Sequence, residues 1–371
     1  MRWSETDIHH MQRALTLAAR GLTTTTPNPR VGCVIVKDGK VLGEGWHRKA
    51  GEAHAETAAL AEACAQGHDI RGATMFVSLE PCNHHGRTPP CTGAIIAAGI
   101  GKVIAACADP NPEAARGGEK LQAAGIIFDS GLLKEEAHEL NCGFISRMQR
   151  GRPWVRSKIA ASLDGRTALA DGRSQWITQS AARNDGHAFR ARACAVLTGI
   201  GTVLTDDPSL TVRAVDTPRQ PLRIVLDRMG KTPITCKLMS DGGDTMIVTA
   251  SKRPASWPSH IRHRQLPATG AEGKYGNEDL RALMAMLAEA EINELHVEAG
   301  ARLNGALFEA GLIDELLIYM SPRVLGQKAL PMFDVAAPWN GLNGDAHFSF
   351  TEMVRVGNDV RLRLRLRRKE Y

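Results

Sequence analysis

The sequence predicts two consecutive α/β domains. Three observations carry that expectation. Helix-like and strand-like apolar periods alternate along almost the whole chain. The alternation breaks at Arg147, Arg150, Gly151, Arg152 and Pro153, and a length of 371 residues suits two domains. We place the boundary within residues 143–152, giving a first domain over 1–147 and a second over 148–371.

The first segment reads as a helix. Ser4 or Thr6 can cap it, Ile8, Met11, Leu15 and Ala18 form one apolar face, and Gly21 ends it. A hairpin follows, with strands over 31–36 and 41–46 around the Asp38-Gly39 turn. An Ala-rich helix spans 53–65, a strand 74–79, a helix 91–98 and a strand 102–107. A helix over 116–124 and a short strand over 126–128 complete a three-layer α/β arrangement around a mixed sheet. In the second part, strands are expected over 155–161, 195–198, 223–227, 246–250, 294–298 and 315–320. Helices are expected over 181–193, 278–290 and 302–310. Residues 251–276, rich in Pro, Ser and Gly, read as a surface excursion, and no internal repeat is visible.

Composition narrows the function classes. The apolar share of 43% and charged share of 23% are those of soluble proteins. The polar segment 1–10 does not resemble a signal peptide, and no apolar run approaches the roughly 18 to 20 residues that span a bilayer. We therefore expect a cytoplasmic enzyme with no membrane partner. Eight cysteines in such a chain point to buried or metal-bound thiols rather than disulfides. Cys33 and Cys107, in strand-like runs, and Cys64 and Cys194, in helix-like ones, are expected to pack. The net charge of +6 invites a nucleic-acid reading, but residues 1–147 carry 15 Lys/Arg against 16 Asp/Glu. The excess concentrates in Arg361, Arg363, Arg365, Arg367, Arg368 and Lys369, where Leu362, Leu364 and Leu366 alternate with charge. That reads as a basic edge strand, and no nucleic-acid partner is expected.

His54-Ala55-Glu56, Pro81-Cys82 and Cys91 form the H-x-E … P-C … C arrangement of zinc deaminases. One His and two thiolates leave the fourth position of a tetrahedral Zn²⁺ open for water, whose pKa the metal lowers. Glu56, not a ligand, is placed to take the water's proton and pass it to the ring and the departing amine. His54 and Cys91 both fall in the first turns of expected helices, where unpaired N–H groups favour a thiolate. A structural zinc module would supply four protein ligands instead of three. Eight residues separate Cys82 from Cys91, and His84 and His85 within them are expected at the pocket mouth rather than on the metal.

Specific motifs extend the reading. Thr26-Pro-Asn-Pro-Arg-Val-Gly-Cys33, Gly51-Glu-Ala-His-Ala-Glu56 and the run from Leu79 through Asn83-His-His-Gly-Arg-Thr-Pro-Pro90 to Cys91 resemble the bifunctional deaminase–reductase family of bacterial riboflavin biosynthesis. So do 158–167, Ser174-Gln-Trp-Ile-Thr178, 202–213 and Val297-Glu-Ala-Gly300, in the family's order. The resemblance implies a cytidine-deaminase-like first domain and a dihydrofolate-reductase-like second domain. It implies deamination of a pyrimidine ribosylamine 5'-phosphate, followed by NADPH-dependent reduction of its ribosyl chain to ribityl. By the same resemblance Asn28, His47 and Arg87 hold substrate in the deaminase pocket. A homo-oligomer is expected.

The second domain says less on its own terms. It has no G-x-G-x-x-G after a strand, so a Rossmann assignment fails. A strand does run through Gly300 into a helix, a place that suits a phosphate. The resemblance assigns Ala160, Trp176, Thr202, Asp206, Gly300, Ala301, Arg302, Leu303, Asn304, Gly305 and Ala306 to NADPH. It assigns Ser174, Arg190, Leu210, Arg213 and Glu298 to substrate, with Arg190 and Arg213 suited to its phosphate. Lys158 and Glu298 are candidates for polarising the sugar during hydride transfer. Arg228 stands where the family carries a small polar residue, and an Arg there can pair with the 2'-phosphate of NADPH. Two other enzyme readings remain at this level: a nucleic-acid base editor, disfavoured by charge, and a deaminase whose second domain has lost reduction.

Overall fold

The computed structural model describes residues 3–84, 89–267, 269, 275–335 and 348–366. The chain divides into two compact units, Met1–Arg150 and Gly151–Tyr371.

The first unit opens with α1 (Glu5–Ala19), capped by Ser4, whose hydroxyl accepts the Asp7 N–H while the Asp7 carboxylate accepts that of Ser4. Strands β1 (Gly32–Lys37) and β2 (Lys40–Trp46) form the hairpin, with Asp38 and Gly39 both left-handed as a two-residue turn requires. Then come α2 (Ala55–Ala65), β3 (Thr74–Val77), α3 (Cys91–Ala97), β4 (Lys102–Ala105), α4 (Gly117–Ala123) and β5 (Ile127–Ser130). Helices α5 (Lys134–Leu140) and α6 (Cys142–Arg150) carry the unit through Arg147 to Arg150. The sheet runs β2-β1-β3-β4-β5, antiparallel across β2, β1 and β3 and parallel from β3 to β5.

Glycines decide how closely the helices approach it. A Cβ on Gly32 would stand 2.0 Å from the Ala14 carbonyl of α1. On β2, Cβ atoms at Gly43 and Gly45 would stand 2.4 and 2.3 Å from carbonyls of Ala59 and Ala55 in α2. Since Gly45 opposes Cys33, the neighbour of Gly32, α1 and α2 cover opposite faces of the sheet. Met11, Ala14, Val34 and Ile35 are among the residues buried between these layers.

The second unit contains β6 (Trp154–Ser162), β7 (Arg166–Ala168), α7 (Ser180–Arg192), β8 (Ala195–Gly199), α8 (Ile200–Asp206), β9 (Leu222–Leu226) and α9 (Lys237–Ser240). It continues with β10 (Thr245–Thr249), β11 (Arg262–Gln265), α10 (Asn277–Glu289), β12 (Glu294–Val297), α11 (Ala301–Glu309), β13 (Glu315–Ser321), β14 (Leu330–Pro331), β15 (Phe348–Val356) and β16 (Asp359–Leu366). Among the described residues nine strands form one sheet in the order β11-β10-β9-β8-β12-β6-β13-β16-β15. It is parallel from β11 to β13 and antiparallel across β13, β16 and β15. The chain moves outward from β8 to β9 but crosses from β12 to β13 on the other side of β6, so its direction reverses between β8 and β12. In open parallel sheets, ligands bind outside the carboxyl ends of strands at such a reversal.

Three expectations need correction. Residues 251–276 are not merely an excursion: β11 pairs in parallel with β10, and Trp257, Ile261 and Leu266 are buried. The strand escaped notice because Arg262-His-Arg-Gln265 has one neighbour and presents no apolar alternation. The basic strand is β16, but β15 is the edge. The arginines of β16 meet carboxylates instead of solvent: Arg361 pairs with Asp185 and Glu352, and Arg363 with Glu315 and Glu352. Arg367, Arg368 and Lys369 lie outside the described residues. Finally, Cys64 is exposed, and Cys194 is buried in the turn after α7 rather than within a helix.

Candidate active site

In the first unit the loop after β3 delivers Cys82, α3 begins at Cys91, and His54 caps α2 one residue ahead of its first turn. Their ligand atoms all lie within 4.8 Å of one another. His54 Nδ1 is 3.3 Å from Cys91 Sγ and 3.5 Å from Cys82 Sγ, and the Cys91 main-chain N–H donates to Cys82 Sγ at 3.4 Å. A separate bond from the Cys91 thiol, and then His54, hold the Cys82 thiol down to about 4, while donating that bond pushes the Cys91 thiol up. Two buried sulfurs and one imidazole nitrogen at these separations fit a tetrahedral cation with one position left for a non-protein ligand. Protons shared among such donors are what a metal displaces on binding.

Glu56 is almost wholly buried in the first turn of α2, within hydrogen-bonding reach of Cys91. Burial, then the Cys82 thiolate, pushes its carboxyl up to about 7. His47 Nδ1 is 3.0 Å from the Ala53 carbonyl, so it carries the proton, and Nε2 accepts from the Asn28 amide at 3.0 Å. The His47 ring meets that of His54 edge-on at 5.2 Å. Asn28 and His47 therefore stand together beside the cluster. His84 is half-buried, with Nδ1 lacking a hydrogen-bond partner among the described residues. Arg87 and His85 lie outside those residues.

Sequence reasoning missed Asp109. Its charge bears on both Cys82 and His54, and burial, then Glu80 and Cys82, push its carboxyl up to about 6. Glu80 fixes the segment by accepting the N–H groups of Asp109 and Gly118. The available signal was Asp109-Pro-Asn-Pro112 following β4, since strand carboxyl ends are where α/β sheets bind ligands.

In the second unit the expected residues gather at the carboxyl ends of β6, β8 and β12. Gly199 caps α8 and Gly300 caps α11, following adjacent strands. A Cβ on Gly300 would meet nothing within 4 Å, so the start of α11 is open, and one on Gly199 would touch Leu303. Thr202 lies in the first turn of α8, Ala301 and Arg302 in that of α11, and Ala160 near the end of β6. Ser174 Oγ donates to Asp206 at 3.4 Å, and exposed Trp176 carries the Arg183 guanidinium 4.4 Å above its ring. Asn304 and Gly305 face inward: Asn304 bonds Ser157 and the Ala299 carbonyl, and a Cβ on Gly305 would collide with the Asp334 backbone. Ala306 is half-buried against the core. The open start of α11 suits a cofactor phosphate, and the Asn304, Gly305 and Ala306 side chains pack against the rest of the unit.

Of the substrate-assigned residues, Arg190 lies in the last turn of α7. Arg190 grips Glu298 through Nε and Nη2 at 2.7 and 2.9 Å and donates from Nη1 to the Thr211 carbonyl at 2.6 Å. Lys158 lies beneath Gly186 of α7, its Cε 3.9 Å from where a Cβ would stand, and burial lowers its pKa. Leu210 is buried with a left-handed backbone, and Arg213 is exposed. Arg228, half-buried, follows β9 and accepts the Ala250 N–H on its carbonyl at 2.9 Å.

Comparison with known proteins fits both units. Residues 4–107 match the cytidine and deoxycytidylate deaminase zinc-binding region, and residues 153–362 match the RibD C-terminal domain. The protein is thus of the bifunctional deaminase–reductase class. It is 46% identical to the riboflavin biosynthesis protein RibD of Escherichia coli over 96% of this chain and 99% of that protein. The Haemophilus influenzae protein of the same name is 43% identical over 98% of each. Acinetobacter baumannii RibD superposes with a TM-score of 0.89 at 41% identity, covering 98% of this chain and 99% of that one. A Thermotoga maritima diaminohydroxyphosphoribosylaminopyrimidine deaminase/5-amino-6-(5-phosphoribosylamino)uracil reductase gives 0.88 at 33% identity over 98% and 99%. The chain belongs to the RibD family, the deaminase–reductases of riboflavin biosynthesis. Among the described residues no helix is long and apolar enough to cross a membrane.

Proposed function

We propose that the first unit deaminates its pyrimidine with Zn²⁺ held by His54, Cys82 and Cys91, and that the second reduces the product with NADPH. The convergence of three ligand atoms within 4.8 Å beside buried Glu56 carries the first half. Zinc there would supply the Lewis acid that activates water for attack on the ring carbon bearing the amino group. Glu56 would take one proton from that water and pass it to the ring nitrogen, then take the second from the hydroxyl newly bonded to the ring carbon and pass it to the amine, which leaves as ammonia when its C–N bond breaks. Asn28 and His47, joined by their own hydrogen bond, orient the ring, and Arg87 assists in holding the substrate.

The second half rests on the paired helix starts at Gly199 and Gly300, which suit a dinucleotide's phosphates. NADPH would supply the hydride. Ala160, Trp176, Thr202, Asp206 and the start of α11 hold it, and Arg228 faces its 2'-phosphate. Lys158 keeps a proton close to the sugar oxygen, and Ser174, Arg190, Leu210, Arg213 and Glu298 hold the substrate.

The test supplies purified protein with freshly made diaminopyrimidine ribosylamine phosphate and follows ammonia release and NADPH oxidation separately. Both signals, with reduction lagging, are expected. Ammonia alone would leave a deaminase with a differently employed second unit. One zinc per chain is expected, lost in Cys82→Ser; retained stoichiometry would overturn the ligand set.

A further inference from the structure

Residues 207–213 follow α8, include the substrate-assigned Leu210 and Arg213, and have no regular structure of their own. Asp207 and Leu210 are left-handed, a conformation that is unfavourable for non-glycine residues and persists only where surroundings impose it. Here the surroundings are side chains that grip the main chain almost residue by residue. The Arg223 guanidinium donates to the Ser209 carbonyl at 3.2 Å, and Arg190 donates to that of Thr211. The Gln220 amide takes both groups of Val212, accepting its N–H at 2.7 Å and donating to its carbonyl at 3.1 Å.

The last grip is made by His187. The Arg213 main-chain N–H donates to His187 Nδ1 at 3.2 Å. His187 precedes Arg190 by three residues on α7, so the two side chains share one helix face. The Arg213 side chain folds back to the Thr211 hydroxyl at 2.8 Å, which keeps its guanidinium near the strap that Arg190 also holds. His187 takes no part in the steps proposed above and lies outside the family motifs.

We infer that His187 is the positioning residue of an anion subsite formed by Arg190 and Arg213, one that takes the phosphate monoester end of the substrate. The inference rests on the reading that these two arginines face that phosphate. An acceptor at Nδ1 is possible only for the neutral ring, which leaves Nε2–H as a donor. The surroundings enforce that form. Burial, then Arg190 and Arg213, hold the His187 pKa down to about 4; Lys158 adds to this and Glu298 opposes it. A phosphate would screen the arginines, yet the neutral ring still anchors Arg213 through Nδ1. Losing the imidazole frees the end of the strap, and Arg213 then has to be ordered at each binding event.

The test uses the full chain and ribose 5-phosphate as probe, with binding measured by titration calorimetry and reductase kinetics in parallel. His187→Ala should weaken ribose 5-phosphate by about three- to tenfold, the value of one hydrogen bond, and raise KM rather than lower kcat. His187→Asn, whose Oδ1 can replace Nδ1 as acceptor, should restore most of the affinity. Arg213→Ala should weaken the probe at least as much. If Arg213→Ala weakens the probe while both His187 variants bind it normally, the positioning role fails and the anion subsite stands. If Arg213→Ala has no effect, the subsite reading itself fails. In case His187→Ala does not fold, imidazole nitrogen shifts of the unaltered protein decide: a His187 titrating near pH 6.5 would overturn the proposal.

Discussion

Arg190 and Glu298 form a two-pronged ion pair, Nε to Oε1 at 2.7 Å and Nη2 to Oε2 at 2.9 Å, with both side chains largely withdrawn from solvent. Burial alone would raise the Glu298 carboxyl. The Arg190 charge, with help from His296 and Lys158, overrules it and holds the group well below its usual range. Glu298 is therefore ionised at neutral pH, which fits orienting a sugar or a cationic Lys158 rather than donating a proton. Truncating Arg190 strands this carboxylate. Arg190→Ala should cost about 3 kcal/mol of the second unit's stability and raise the substrate KM for reduction. Denaturation and steady-state kinetics check this; unchanged stability would mean water replaces the guanidinium without penalty.

Glu56 touches Cys91 but is not among the three clustered ligands. Glu56→Gln keeps the shape while removing proton transfer. Zinc content should be retained, ammonia release should fall by at least about a hundredfold, and NADPH oxidation on supplied uracil intermediate should persist. Ammonia release near the unaltered rate would refute the proton-carrying role.

The difference in legibility between the two sites has a physical basis. His54, Glu56, Cys82 and Cys91 lie within 38 residues of sequence, in one H-x-E … P-C … C motif whose His54, Glu56 and Cys91 stand at helix starts. Arg190 and Glu298 stand 108 positions apart, and Arg213 meets His187 through a main-chain N–H that carries no sequence signature. The sheet shows the same contrast. Buried parallel strands such as β8 and β10 read clearly as apolar runs. Polar β11 on one edge and exposed β15 on the other do not, and reading β16 as an edge followed from missing β15. Motif resemblance, not periodicity, supplied the second unit's residues, because the groups that meet there come from positions far apart in sequence.

Arg228 leaves β9 at the carboxyl edge of the sheet, near Tyr275, with its backbone fixed by Ala250. A guanidinium here suits the 2'-phosphate that distinguishes NADPH from NADH. Arg228→Ala should weaken NADP⁺ binding by about tenfold or more and leave NAD⁺ binding little changed. Equilibrium binding of the two oxidised cofactors decides this without turnover. Equal losses for both would sink the assignment.

Glu315 supplies the pH dependence. It is fully buried on β13, receives the Arg156 Nε–H at 2.8 Å and the Arg363 Nε–H at 3.0 Å, and lies 3.6 Å from Arg365. Burial pushes its carboxyl up, but Arg156 and then Arg363 pull it far below the usual carboxylate range. The unfolded chain thus binds this proton more readily than the folded one. The resulting stability is fully present above the unfolded value of about 4.3 and is lost as pH falls below it toward the folded value. The second unit's calorimetric transition should therefore move to lower temperature as pH drops from about 5 to 3. Glu315→Gln should lower stability at neutral pH by about 3 kcal/mol, because Arg156 is equally buried and loses one of its two carboxylates. The same variant should flatten the acid slope, having no proton to gain there. An undiminished slope in Glu315→Gln would place the acid sensitivity elsewhere than Glu315.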